Sequence, residues 1–196
     1  MYEYISGKIT ELTPTYVVVE TGGVGYYIHV SLQTYGQLGG KTEARLFVHQ
    51  QIKEDAHVLF GFAERREREL FRLLVSVSGV GPSTAQLMLS ALSSDELTTA
   101  IATENVAVVK SVKGIGQKTA ERLIVELKDK ILKVSAGMGV GDMKTALPAS
   151  NAKEAVSALV ALGFARPATE KMVEQVWKEN STAGVEELIK KALQRL

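Results

Sequence analysis

One ten-residue pattern occurs twice in this chain, 35 residues apart, and it limits what the middle of the protein can become. Ser76-Val77-Ser78-Gly79-Val80-Gly81-Pro82-Ser83-Thr84-Ala85 matches Ser111-Val112-Lys113-Gly114-Ile115-Gly116-Gln117-Lys118-Thr119-Ala120. Each copy lies between stretches of helical period. Upstream of the first, Leu70, Phe71, Leu73, Leu74 and Val77 fall on one face, with Arg65, Arg66, Arg68 and Arg72 off it. Downstream of the second, Ala120, Leu123, Ile124, Leu127 and Ile131 form an apolar stripe. Two helix–hairpin–helix units in tandem are the expected result. The glycines permit a tight turn and let a phosphate approach bare backbone N–H groups. Val80 or Ile115, between them, is expected to face inward and pin the hairpin. The following helix then offers its unpaired N–H groups and positive dipole end to the same phosphate. Lys118 and Arg122, one turn apart, add charge. The candidate DNA-contact residues are Gly79, Val80, Gly81, Ser83 and Thr84 in one copy. In the other they are Gly114, Ile115, Gly116, Gln117, Lys118, Thr119 and Arg122. A lone Gly-x-Gly is weak evidence, and two in register are stronger. The competing reading is two corners of a structural bundle or adaptor, whose hairpins touch only protein.

Charge alone does not argue for nucleic acid, since the 196 residues carry a net charge of only +1. By segment, residues 1–63 hold four Lys/Arg against six Asp/Glu, residues 64–135 eleven against nine, and residues 136–196 eight against seven. Any grip on DNA must therefore come from geometry and a local patch in the middle segment. The absence of cysteine excludes disulfides and thiolate chemistry and fits a reducing cytoplasm. The start, Met1-Tyr2-Glu3-Tyr4, lacks the basic opening of a signal peptide, and no apolar run approaches the ~20 residues of a membrane span. A soluble cytoplasmic protein, with no membrane partner, is expected. No motif calls for a cofactor or a metal. Gly116-Gln117-Lys118-Thr119 breaks the Gly-Lys adjacency of a phosphate-binding P-loop and follows a helix rather than a strand. A base-excising glycosylase would need a catalytic carboxylate set downstream, where Asp142 stands alone in a glycine-rich stretch. His29, His49 and His57 have neither metal-ligand spacing nor a triad pattern and read as fold or surface residues.

The first sixty residues read differently. Segments 4–12, 16–20, 26–30, 44–52 and 58–62 are β-branched and aromatic, with Pro14 and Gly22-Gly23-Val24-Gly25 supplying turns. Several short strands in so little chain suit a small closed barrel of the OB type, with an SH3-like barrel or a plain sheet as alternatives. Ser93-Ser94-Asp95-Glu96 is a capping box. Residues 135–150, with Gly137, Gly139, Gly141 and Pro148, have the composition of a flexible linker. Residues 151–196 turn helical again: Asn151 with Glu154 is expected to cap one helix, Gly163 to end it, and Pro167 and Gly184 to punctuate two more. Such a small bundle keeps apolar surface to spare, which makes a docking face. The fold expected is thus α+β and multidomain: barrel 1–63, tandem helix-hairpin-helix 64–134, linker 135–150, and a three-helix, UBA-like bundle 151–196.

Taken together, these motifs resemble the RuvA family of bacterial Holliday-junction-binding proteins. The likeness rests on Gly22-Gly23-Val24-Gly25-Tyr26, Lys53-Glu54-Asp55-Ala56, Gly79-Val80-Gly81-Pro82, Gly114-Ile115-Gly116-Gln117-Lys118-Thr119-Ala120-Glu121-Arg122-Leu123 and Ala158-Leu159-Val160-Ala161-Leu162-Gly163-Phe164. The resemblance implies a non-catalytic homotetramer that holds a four-way junction open, sometimes with a second tetramer stacked on the other face. It implies that Glu54 and Asp55 form an acidic pin at the crossover; by composition alone they are an ordinary turn. It also implies that the C-terminal bundle recruits the hexameric ATPase RuvB, with Leu159, Leu162, Phe164 and Leu188 as candidate contacts, and that the resolvase RuvC is a further partner. Ser83 and Gln117 stand where many members of the family carry lysine, which lowers the charge at each hairpin.

Overall fold

The computed structural model describes residues 2–137, 149–180 and 183–195. The chain divides into two compact units, 1–139 and 140–196.

In the first unit, β1 (Tyr4–Leu12), β2 (Tyr16–Thr21), β3 (Val24–Val30), β4 (Glu43–Ile52) and β5 (His57–Phe62) close into a barrel in the order β1-β2-β3-β5-β4. All neighbours are antiparallel except β3 and β5, which run parallel. Alternate residues point inward, so Ile5, Val17, Val19, Ile28, Val30, Leu46 and Val48 fill the interior. The OB-like expectation holds. A short helix missing from the sequence reading, α1 (Leu32–Leu38), bridges β3 and β4. Its cap is Ser31, whose hydroxyl accepts from the Thr34 N–H at 3.0 Å.

Five helices follow: α2 (Arg65–Val75), α3 (Pro82–Ala91), α4 (Ser94–Ala102), α5 (Val106–Lys110) and α6 (Gln117–Gly137). The capping box forms as expected at Ser93 and Glu96. The helices share one core, built from Leu70, Phe71, Leu74, Met88, Leu89, Leu97, Ile101, Leu123 and Leu127 among others. Helix α6 runs three residues into the segment expected to be linker, and the remainder of that segment up to Pro148 lies outside the described residues.

The outer face of the barrel belongs to this helical core as well. Phe60 and Phe62 meet Phe71 of α2 with ring centroids 5.1 and 5.0 Å apart. His29 and His49 flank Phe60 across β3 and β4, and burial holds both imidazoles below their usual pKa. Arg68 departs from the expectation that it lies off the packed face: it is 2% exposed. Its guanidinium lies 5.5 Å from the Phe47 ring centroid, donates to the Glu3 backbone carbonyl and carboxylate at 2.8 Å each, and reaches Glu69 at 2.9 Å. A paired arginine over an aromatic ring tolerates burial that a free one does not.

Glu67, one residue earlier, is 3% exposed and accepts from the hydroxyls of Ser31 and Thr34, so α2 clamps the cap of α1. The Ala63 N–H donates to the same Thr34 hydroxyl oxygen at 3.1 Å.

In the second unit, α7 (Ala149–Ala161), α8 (Arg166–Glu179) and α9 (Val185–Leu193) pack around Ala155, Leu159, Val173, Val176, Leu188 and Ala192. Gly163 ends α7 at φ +100°, with the Phe164 N–H bonded to Leu159 O and its own N–H to Val160 O, a Schellman turn. Asn151 does not cap α7, which is already under way at Ala149; its side-chain amide donates to Ala183 O at 3.3 Å instead.

Burial pushes the Glu67 carboxyl above its usual 4.5, against the opposing pull of its two hydroxyl donors. A carboxyl raised in the folded state stabilises in its protonated form, fully below its unfolded pKa and decreasingly as pH rises through the folded one. Glu67→Gln, neutral at every pH, should therefore gain stability relative to the parent as pH rises from 4 to 7. Urea-denaturation midpoints across that range check this, and a flat difference would mean the carboxylate is held without cost.

Candidate nucleic-acid interface

The two sequence copies fold into the same object, bond for bond. In the first, the Ser76 hydroxyl donates to Leu73 O at 2.7 Å; in the second, Ser111 donates to Val108 O at 2.7 Å. The Val80 N–H reaches Val77 O at 3.0 Å, and the Ile115 N–H reaches Val112 O at 3.1 Å. Both following helices open with a 2.9 Å bond, Ala85 N–H to Gly81 O and Ala120 N–H to Gly116 O. Val77, Val80, Val112 and Ile115 are all buried, so each turn is pinned from inside at two points, as expected for Val80 and Ile115.

The four glycines are of two kinds. Gly79 and Gly114 sit at φ +91° and +92°, where side-chain-bearing residues are strained. Gly81, by contrast, has φ −81°, and neither it nor Gly116 is in the left-handed region. A Cβ built on either would meet nothing within 4 Å. Nothing among the described residues requires glycine at 81 or 116. The space beside both is open, and a residue without a side chain leaves the backbone there accessible.

What lies beside these two glycines is a row of donors. Ala85 and Ala120 are the first residues of α3 and α6 whose N–H groups bond back along the helix. The N–H groups of Ser83 and Thr84, and of Gln117, Lys118 and Thr119, precede them and so have no helical partner. Gly79, Gly81, Ser83, Gly114, Gly116, Gln117, Lys118 and Arg122 are exposed, and Thr84 and Thr119 half-buried. Lys113, Lys118 and Arg122 make no ion pair among the described residues, whereas Lys128 is held by Glu104 and Arg66 by Asp95. Each copy therefore sets exposed glycines beside helix N–H groups that have no helical partner, and the second adds exposed cations without an ion pair among the described residues.

Glu54 and Asp55 occupy the tip of the β4–β5 hairpin, closed by a 2.8 Å bond from Lys53 N–H to Ala56 O. Both are exposed. Ile52, at the base of the tip, is 66% exposed although it continues the inward-facing series of Leu46 and Val48, because the hairpin outruns the barrel core. The sequence reading did not single it out.

The candidate motor contacts divide. Leu162 and Phe164 are exposed, flanked by exposed Val160 and Ala165 in one apolar run. Leu159 and Leu188 are fully buried in the core of their own bundle and offer no surface for docking. They follow the inner stripe of α7 and α9, which a reading by hydrophobicity alone cannot separate from a docking face. Among the described residues there is no cluster of metal-binding side chains and no helix long and apolar enough to cross a membrane.

Comparison with known proteins covers the same ground. Residues 1–61 match the family described as RuvA N terminal domain, residues 71–129 the SAM-like helix-hairpin-helix tandem, and residues 150–196 the RuvA C-terminal domain. A protein of Christiangramia forsetii is 49% identical over 196 residues, one of Bacteroides fragilis 50% over 201, and one of Porphyromonas gingivalis 49% over 203. In each pairing both chains are covered completely. All three relatives are called Holliday junction branch migration complex subunit RuvA.

The two kinds of glycine should separate in stability measurements. Gly114→Ala forces a side chain into φ +92° and is expected to cost about 1–2 kcal/mol. Gly116→Ala should be neutral or stabilising by up to about 1 kcal/mol, because it restricts only the unfolded chain. Denaturant titrations of both variants check this, and equal losses would mean that residue 116 is constrained from within.

Proposed function

This chain belongs to the RuvA family, and from that premise we propose that it binds four-way DNA junctions through their phosphates, without reading base sequence. It then presents them to a hexameric ATPase of the RuvB type for branch migration in recombination and repair. One observation carries the reading: at Gly81 and Gly116 the chain keeps glycine where its own fold has no need of it, beside helix N–H groups without partners. Phosphate oxygens fit such a site, and phosphate contacts position DNA without specifying sequence. The chain itself is a non-catalytic, cytoplasmic subunit, and four copies surround the junction, with a second tetramer and a RuvC-type resolvase as further partners.

In that fourfold arrangement the Glu54–Asp55 tips converge on the crossover. Like charges ~4 Å apart repel by about 4 kcal/mol at an effective dielectric of ~20, before salt screening. An open junction keeps its phosphates clear of such a centre, and a continuous duplex laid across it does not. The exposed Leu162–Phe164 run supports a docking role for the C-terminal bundle.

Titration of labelled junction and duplex at ~0.15 M salt, where the Debye length is ~8 Å, should give strong preference for the junction, and equal affinity would refute the reading. Glu54→Gln with Asp55→Asn should narrow the ratio of duplex to junction dissociation constants by strengthening duplex binding; an unchanged ratio reduces the tip to an acidic turn.

The second unit has its own test. Leu162→Ser with Phe164→Ser should leave junction binding and helical circular dichroism intact while abolishing stimulation of the motor ATPase. Full stimulation would place the motor contact elsewhere.

A further inference from the structure

The two hairpins are alike in backbone and unlike in everything attached to it. Residues 76–87 of the first copy contain no ionisable side chain, whereas residues 111–122 of the second contain Lys113, Lys118, Glu121 and Arg122, a net of +2. Position by position, Ser78 stands for Lys113, Ser83 for Lys118 and Leu87 for Arg122. Pro82 also removes a donor that Gln117 keeps, leaving the first helix start with two free N–H groups against three.

The faces behind the hairpins differ in the opposite sense. In α3, the Gln86 amide donates to Val30 O of the barrel at 2.6 Å, and the Ser90 hydroxyl oxygen accepts from the Leu32 N–H at 3.1 Å. The equivalent positions in α6 are Glu121, which accepts from Gln117 of its own helix at 2.6 Å, and Val125, which is 78% exposed. The first hairpin is thus bolted to the barrel that carries Glu54 and Asp55. The second has no such anchor at those positions and carries the charge.

We propose that the two hairpins divide the grip on the DNA backbone: the second is the electrostatic anchor, and the first is a neutral guide that fixes the backbone's register against the barrel. This rests on the phosphate-binding reading above. Its consequence is quantitative. Cations that meet phosphates release counterions, so each contributes about −0.9 to the slope of log affinity against log salt on duplex arms, whereas neutral N–H and hydroxyl donors contribute nothing to the slope. The salt dependence contributed by the hairpins therefore comes from Lys113, Lys118 and Arg122, and the first hairpin supplies affinity that salt does not erode.

The experiment is a titration of the full chain against an immobile four-way junction of synthetic oligonucleotides at four or five salt concentrations. Lys113→Gln with Lys118→Gln and Arg122→Gln should flatten the slope by about 0.9 for each cation that had met a phosphate. Ser83→Ala with Thr84→Val should lower affinity by one constant factor at every salt concentration, with the slope unchanged. Ser83→Lys, which restores charge to the first copy without removing a donor from the backbone, should raise affinity at low salt and steepen the slope. Equal flattening by the charge variant and the hydroxyl variant, or an unchanged slope in the charge variant despite lost affinity, overturns the division while leaving phosphate binding in place. Unchanged affinity in all three variants at every salt overturns the division as well, whereas failure of the parent chain to bind the junction overturns the phosphate reading itself, and the proposal with it.

Discussion

The seam between β1, the barrel's aromatic outer face and α2 is the constraint on which the rest of the first unit depends. Arg68 reaches the backbone and carboxylate of Glu3 at one end of the barrel, while Glu67 holds Ser31 and Thr34 at α1. Between them Phe71 packs on Phe60 and Phe62. A buried arginine needs its hydrogen-bond partners, and Arg68 finds one of them on β1's side of the seam, which ties α2 to the barrel. Because α3 packs on α2 and bonds to Val30, the first hairpin inherits that geometry, and the β4–β5 tip is held in the same frame.

What the sequence made legible followed from periodicity and repetition. The five strand segments were visible because β-branched and aromatic residues cluster between turn formers, and the hairpins because one pattern recurs with its helical flanks. Helix α5, Val106–Lys110, contains three valines in five residues and has poor intrinsic propensity. Burial of Val109 and the Asn105 cap override it. Helix α1 was missed because Gly36, Gly39 and Gly40 give its neighbourhood the composition of a loop; its signal was Ser31 at the cap.

Buried polar groups were the larger omission, and the reason is physical. Arg68 reads as surface because nothing local reveals that Glu3, 65 residues away, completes its bonding. Leu159 and Leu188 show the converse: apolar residues in a small helical bundle serve either core or partner, and only the packing decides which. The glycines illustrate a third case. Four identical letters conceal two situations, one of constrained backbone torsion and one of open space, and the second becomes visible only when the surroundings of the residue are known.

The parallel pairing of β3 with β5 bears on how the barrel disposes of its strand edges. Without the β4–β5 hairpin, a β1–β2–β3 meander would leave one edge of β1 and one edge of β3 unpaired, and such edges are where chains recruit one another. The β4–β5 hairpin then closes both gaps in one insertion, pairing β4 with β1 and β5 with β3. The turn at residues 53–56 thus joins the two strands that complete the barrel, with Glu54 and Asp55 exposed at its tip. Closure leaves no strand edge of the barrel open to another copy of the chain.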